Sequence, residues 1–439
     1  MSDAREGALS RREFLAAAAA AAAATAGTAV AATGSAASAV PAEVAPAAGA
    51  GTVPFAQAVA RALKDAGTRV VTNVPASACS ELYDAWAWLE GKEPVYSFNE
   101  EVAFTVAHGA ALAGARSAAV LKSHGLAKAG NAVVDSLTPF TVAGCVVVVS
   151  DDPLGSHSDN VFDGEALFKG FGLEYRRTTA ATVYRDVLWA MARSEEIFAP
   201  VALLFDAAEA AKSAVVGSSP LAPSPLKYER DVVARVIGPP LAPLQYRIRK
   251  AQRAGEDWRK VPRPPLLEIP AGLPRRWQGP VQAYFPLFNA FRTLRSEEKV
   301  GYVAGDAGLG AFFAFPPFDC IDVCTYYGGS LPLAIGAWMA GHERPWVVAG
   351  DFAFLAGGGL GLTEALHRGA PLKVLVLYNG KAETTGGQPM SKPVFEQLLG
   401  GYRAVTRTLH HPEDPAEALK ELRTVHRAPG LQIVVADYV

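Results

Sequence analysis

The stretch GDFAFLAGGGLGLTEALHRGAPLKVLVLYNGKAETTGGQP, Gly350 to Pro389, decides the fold of this chain. An apolar run at 346–349 breaks at Gly350-Asp351, a glycine-rich turn and a helical pattern follow, and a second apolar run at 372–378 ends at Asn379. Two such runs around one helix read as a βαβ unit. If its strands are parallel neighbours, Asp351 and Asn379 emerge at the same sheet edge, where open α/β sheets bind ligands. Two side-chain oxygens there, with the carbonyl of Lys381 just beyond, suit a hard cation such as Mg2+, which keeps positions open for phosphate and water. The pattern predicts a metal-diphosphate clamp, and the glycines at 357–359 are expected to bring backbone N–H groups towards phosphate. An ordinary pair of buried strands with an Asp and an Asn in their loops reads the same way, so a second anchor is needed.

That anchor lies upstream. Short apolar runs at 68–72, 94–98, 117–121 and 144–150 read as strands, each followed by a polar cluster. The clusters are Asn73 to Ser77 with Pro75 in the turn, Asn99-Glu100-Glu101, Lys122-Ser123-His124-Gly125, and Asp151-Asp152. Strand alternating with helix, with every cluster at a strand end, predicts an α/β fold with doubly wound parallel sheets. Glu100 opens a helix rich in alanine and glycine, NEEVAFTVAHGAALAGA, whose small residues allow close packing against a neighbouring helix or subunit. A carboxylate in a first helical turn favours its own helix dipole; Glu101 suits that role, and by itself Glu100 reads equally as a second such residue or as a catalytic carboxylate.

With 439 residues, half of them hydrophobic, and a net charge of -2, the chain has the size of two or three globular domains. The absence of a basic excess argues against nucleic acid as a partner. Four cysteines, Cys79, Cys145, Cys320 and Cys324, make neither a disulfide framework nor a zinc site. Residues 1–39 read as a twin-arginine export signal: Ser10-Arg11-Arg12-Glu13-Phe14-Leu15, an alanine run, then Ala37-Ser38-Ala39 as a cleavage site. The expected location is a bacterial periplasm, reached folded, with no transmembrane helix in the mature chain. Residues 53–216 form the first expected domain and 276–439 the second. The proline-rich linker 217–275 between them holds one helical run at 244–260, whose basic residues from Arg247 to Arg253 read as a solvated face. Further strands are expected at 300–304, 320–324 and 431–436.

The segments NVPASACSEL, FNEEVAFTVAHGAALAGAR, VVVVSDDPLGSHSDN, GDAGLGAFFAFPPFDCIDVCTYYGGSLPLAIG and GDFAFLAGGGL…LYNGKAETTGGQP carry a likeness. Through them the chain resembles the alpha subunits of indolepyruvate ferredoxin oxidoreductases, which are thiamine diphosphate enzymes. The resemblance implies a pyrimidine-binding domain at 53–216, a diphosphate-binding domain at 276–439, and thiamine diphosphate with Mg2+ as cofactors. It makes Glu100 the carboxylate beside N1' of the aminopyrimidine, where it supports the tautomer that removes the thiazolium proton. Asp351, Asn379 and the Lys381 carbonyl become the Mg2+ ligands. Pro75, Gly328, Gly329, Ser330, Gly350, Phe352, Ala353 and Ala382 lie along the cofactor, with Phe352 standing where glycine is usual. Two anchors in different domains make the cofactor bridge two sheets; in this family that bridge runs between subunits, so the resemblance implies a homodimer with the cofactor at the subunit interface.

Those alpha subunits also carry a cysteine-rich ferredoxin-like module and a Cys-Pro-Gly-Cys element. This sequence has Gln278-Gly279-Pro280-Val281-Gln282 at the latter place and no cysteine run before Val439. Electron transfer through its own iron-sulfur clusters is therefore not expected, and an oxidative outcome would need an external acceptor such as a separate redox partner. Ser123-His124-Gly125-Leu126, Asn131, Ser136-Leu137 and Thr385 to Pro389 also resemble the phosphonopyruvate and sulfopyruvate decarboxylases, whose chemistry is non-oxidative. Both likenesses imply attack of the cofactor ylid on a 2-oxo acid, loss of carbon dioxide and an enamine, followed by oxidation or protonation. A non-catalytic cofactor-binding partner subunit is a further reading, which Glu100 argues against because binding alone needs only the clamp. His124 is a candidate for proton transfer and His157 an equally open one. Tyr327 is a candidate for the bulky residue that bends the cofactor.

Overall fold

A computed structural model describes residues 51–224, 227–239 and 241–439. The export segment read at 1–39 lies outside them. Two all-parallel sheets dominate. The first comprises β1 (Val70–Asn73), β2 (Ser117–Lys122), β3 (Cys145–Asp151), β4 (Glu174–Arg177) and β5 (Val201–Asp206), in the spatial order β1-β2-β3-β5-β4. The second comprises β6 (Val303–Asp306), β7 (Val323–Thr325), β8 (Trp346–Gly350), β9 (Lys373–Tyr378), β10 (Thr406–Leu409) and β11 (Gln432–Asp437), in the order β10-β11-β9-β8-β6-β7.

The inner strands are unbroken apolar runs because helices cover both faces of each sheet. Val71, Val120, Val148 and Leu203 pack under helices Phe55–Asp65 and Val183–Ile197, whereas Ala119, Val147 and Leu204 face Phe104 on the other side. In the second sheet Val348, Leu375 and Val434 meet Phe288 and Phe291 of helix Phe285–Glu297, and Val347, Val374 and Ile433 point the opposite way. The edge strands β4 and β10, EYRR and TRTL, lie outside the sequence reading; a half-exposed edge tolerates polar residues and loses the apolar signature.

The run at 94–98, expected as a strand, is not one. Pro94 has no N–H to give, and the Tyr83 hydroxyl takes both backbone groups of Val95, at 3.1 and 3.0 Å. Ser97 alone reaches the sheet edge, through its N–H to the Asn73 carbonyl at 2.8 Å. The helical run expected at 244–260 is helix Ala242–Arg253, then a separate 3-10 turn Trp258–Lys260. Residues 217–275 also do more than connect: Val236, Leu241, Ile269 and Leu273 enter the core of the second sheet, and Val236 bridges to Cys324.

Four helices position the site: α1 (Glu100–Leu112), α2 (Ser123–Lys128), α3 (Ser330–Met339) and α4 (Gly359–Arg368). α1 and α3 meet backbone to backbone. A Cβ on Gly109 would lie 2.5 Å from the Leu333 carbonyl oxygen, and one on Gly336 would overlap the Val106 carbonyl oxygen and lie 2.6 Å from Ala110 N. Tyr326 reaches Thr105 near the start of α1, with hydroxyls 2.8 Å apart, and His342 meets the Ala113 carbonyl beyond its end, at 3.2 Å. The two helices therefore run in the same sense, and their N-termini share one end of the molecule.

Gly336→Ala is expected to cost about 3 kcal/mol, because neither backbone can retreat from the added methyl. Gly279→Ala, also within a helix but with open space around its Cβ, should be neutral or stabilising by about 0.5 kcal/mol. Denaturant unfolding of the two variants checks the contrast.

Candidate active site

β8 ends at Gly350, and Asp351 opens a helical turn, Asp351–Ala353. β9 lies beside β8 with Gly350 opposite Leu377, so Asn379 emerges just past the edge where Asp351 stands. Asp351 ties the two strand ends together. Its Oδ2 accepts the N–H of Asn379 at 3.0 Å and of Gly380 at 2.6 Å, and its Oδ1 accepts that of Phe352 at 2.7 Å. Gly380 makes this reach possible with φ +71, a conformation costly for other residues. The Asn379 amide is held from both ends: Nδ2 donates to the Tyr284 hydroxyl at 3.0 Å, and Oδ1 accepts from the Lys381 N–H at 3.2 Å.

Burial raises the Asp351 carboxyl, and the N–H donors of Gly380, Phe352 and Asn379 pull it back only in part. A cation would complete the compensation. One carboxylate, one amide oxygen and nearby carbonyls, without thiolate or imidazole, form the donor set of a hard ion and fit Mg2+. Among the described residues no three His, Cys, Asp or Glu cluster as a softer metal would require.

Asp351 and Asn379 line a cavity of about 540 Å³, and of the residues expected along the cofactor Gly350, Phe352, Ala353, Lys381 and Ala382 line it with them. Tyr327 lines it too, half exposed, with its ring 6.4 Å from that of Phe352; core packing is not its role. Tyr284, Trp277 and Phe312 add an aromatic wall outside the sequence reading.

Gly328, Gly329 and Ser330 stand close by in a different way. Asp306, the last residue of β6, accepts the N–H of Gly328 at 3.0 Å and of Ser330 at 2.9 Å through Oδ1, so these donors are already engaged. The glycines at 357–359, expected as an open phosphate loop, lie instead on a continuous helical path from Asp351 into α4. Gly357 is pressed onto that same turn: a Cβ there would lie 2.6 Å from the Gly328 carbonyl oxygen. Close packing, not anion capture, explains their lack of side chains.

Asp306 is the residue that the sequence reading passes over. It lines the cavity, is fully buried, and keeps Oδ2 without a partner. Burial pushes it up to about 7, against the opposing pull of the Ser330 and Gly328 donors. The signal was available: Gly-Asp closes an apolar run twice, at 305–306 and 350–351.

Glu100 stands at the start of α1, which Asn99 caps by accepting the Val102 N–H at 3.1 Å. Its side chain lies over Gly125 of α2, where a Cβ would come 2.7 Å from Glu100 Cγ. Its Oε2 lies 2.8 Å from Lys128 Nζ, an ion pair at contact distance without hydrogen-bond alignment. His124, on the same short helix, turns Nε2 to Asn160 Oδ1 at 2.5 Å and packs edge-on against Phe162. His157 serves its loop through the main chain, its N–H on Asp152 at 2.7 Å and its carbonyl on Lys122. Within one chain, none of Glu100, His124 and Pro75 lines the cavity that holds Asp351.

Residues 291–430 match the family model of the thiamine pyrophosphate enzyme C-terminal TPP binding domain. Indolepyruvate oxidoreductase subunit IorA of Archaeoglobus fulgidus is 39% identical over 118 residues, which are 24% of this chain and 18% of that protein. The IorA subunit of Thermococcus kodakarensis is 36% identical over 115 residues, 26% of this chain and again 18% of the relative. The match thus spans under a fifth of these curated relatives. An X-ray structure described as a thiamin diphosphate-dependent enzyme from Mycobacterium smegmatis superposes with a TM-score of 0.57 at 14% identity, over 88% of this chain and 99% of that one. That likeness shows the fold: two α/β domains, each built on a parallel sheet. The chain resembles a thiamine diphosphate enzyme of the IorA kind.

Asp306 generates a prediction. Its folded value near 7 exceeds the ordinary 3.8, so the native state holds the proton across that window and loses stability as pH rises through it. Asp306→Asn removes this slope. In metal-free buffer, its stability relative to the parent should improve by on the order of 1 kcal/mol per pH unit within the window and level off above it. Denaturant melts at several pH values measure the difference.

Proposed function

We propose that this chain is a thiamine diphosphate- and Mg2+-dependent enzyme that decarboxylates a 2-oxo acid. The observation that carries the reading is the joined pair Asp351 and Asn379 at the edge of the second sheet, opening into a cavity beside the half-exposed rings of Tyr327 and Phe352. When bound, thiamine diphosphate supplies the electron sink that lets the bond between a carbonyl and its neighbouring carboxylate break. Asp351, Asn379 and the Lys381 carbonyl would hold Mg2+ and, through it, the diphosphate. Tyr327 and Phe352, which line the cavity, would pack against the bound cofactor. Glu100 would hold the proton at N1' of the aminopyrimidine, and His124, on the short helix that carries Gly125 against Glu100, would serve proton transfer.

Because Glu100 does not reach the Asp351 cavity of its own chain, the site is completed by a second copy, in a homodimer. Mixed subunits test this directly. Glu100→Gln is expected to bind thiamine diphosphate with Mg2+ and not turn over, and Asp351→Ala to lose Mg2+-dependent binding. If each site draws on two chains, dissociating and reassembling an equal mixture of the two variants should recover about a quarter of the parental sites. Recovery of none would mean that one chain supplies both residues.

Loss of carbon dioxide is common to the oxidative and non-oxidative outcomes. A 2-oxo acid panel, run aerobically with and without a redox dye, separates them. Aldehyde without dye marks a decarboxylase; turnover only with dye marks an oxidoreductase that passes electrons to an external partner. We place the mature protein in the periplasm, delivered by the twin-arginine route, which cell fractionation checks.

A further inference from the structure

The ion pair on Glu100 is not required by the fold. Lys128 is half exposed at the end of α2, yet its ammonium sits 2.8 Å from one oxygen of the carboxylate assigned to the aminopyrimidine. Gly125, three residues earlier, leaves room for the Glu100 side chain to lie down across α2; any Cβ there would strike Cγ. Asn99 and Val102 fix the backbone of Glu100 from the other side. The carboxylate is thus located by its backbone, by a missing methyl group beneath it, and by a cation on one edge.

We propose that Lys128 is a positioning residue for Glu100: it holds Oε2 and turns the other carboxylate oxygen, Oε1, outward as the hydrogen-bonding partner of an aminopyrimidine nitrogen. The proposal rests on the reading of Glu100 given above. A carboxylate on a flexible side chain samples several rotamers, and the Coulombic attraction of an ion pair on one oxygen selects among them without occupying both. Gly125 and Lys128 then act as a pair, one by yielding space and the other by anchoring. The effect belongs to Glu100 and leaves the Asp351 clamp untouched, since neither residue lines that cavity.

The experiment uses the full-length protein loaded with thiamine diphosphate and Mg2+, without substrate. Lys128→Met keeps the stem and removes the charge at a partly solvated position. Affinity for the cofactor, followed by quenching of tryptophan fluorescence, should stay within about threefold, because the clamp supplies most of it. The near-ultraviolet circular dichroism of the bound aminopyrimidine tautomers, and the exchange of the thiazolium C2 hydrogen for deuterium, should both fall by on the order of tenfold or more. Lys128→Arg should restore both, and Gly125→Ala, which displaces the carboxylate from beneath, should reproduce the loss. Parental dichroism and exchange in Lys128→Met would overturn the inference. If Glu100→Gln still abolishes both signals in that case, only the role of Lys128 fails; a parent protein that does not bind the cofactor fails the whole reading.

Discussion

The contact on which the rest depends is the crossing of α1 and α3, where Gly109 and Gly336 let two backbones touch. No side chain separates the helices there, so their relative position is set by main-chain van der Waals surfaces, the least adjustable in a protein. α1 begins with Glu100 and α3 begins with Ser330, and the helices run in the same sense. The crossing therefore brings the start of the carboxylate helix and the Gly328–Ser330 turn to one end of the molecule. Secondary links reinforce it. Asp135 accepts from Thr325 and Tyr326, and the buried Arg368–Glu364 pair on α4 clasps Val95 and Ser97 just ahead of Glu100.

At the edge of the second sheet the economy is different. Two aspartates end neighbouring strands, Asp306 on β6 and Asp351 after β8, and each is buried. Burying a carboxylate is expensive unless donors compensate it. Both are paid in the same currency, backbone N–H groups: Gly328 and Ser330 for Asp306, Phe352, Asn379 and Gly380 for Asp351. Neither is paid in full, since both carboxyls are pushed up by burial. The incomplete compensation faces the cavity, from which a cation could supply the rest. The turn at 328–330 is consequently a scaffold held by Asp306, and the glycine contact at 328 and 357 locks it against the start of α4.

How much of this was legible in the chain can be judged residue by residue. That Asp351 and Asn379 lie side by side was legible because their positions follow local rules: an apolar run of strand length, a break, a helix, a second run. The aromatic wall of Tyr284, Trp277 and Phe312 was not found, because residues far from the strand ends reach the cavity only after the helices wrap back over the sheet. Pro94 to Phe98 misled for a related reason. Its composition suits a strand, but the hydroxyl of Tyr83, twelve residues before Val95, captured the backbone groups a ladder would have used. The glycines at 357–359 were read as a phosphate loop, since a glycine that gives way to a ligand and one that gives way to another backbone leave the same letter in the sequence.

The sequence by itself determined the alternation of strand and helix, and with it two parallel sheets, because side chains buried on both faces must be apolar wherever the strand lies. It also determined which polar residues stand at strand ends. The tertiary structure alone decided that Asp306 takes the N–H groups of the 328–330 turn, that Lys128 sits on Glu100, and that Glu100 does not line the Asp351 cavity of its own chain. These are contacts between segments distant along the chain. They depend on how helices of given length cross and how far side chains extend, and no local pattern encodes either.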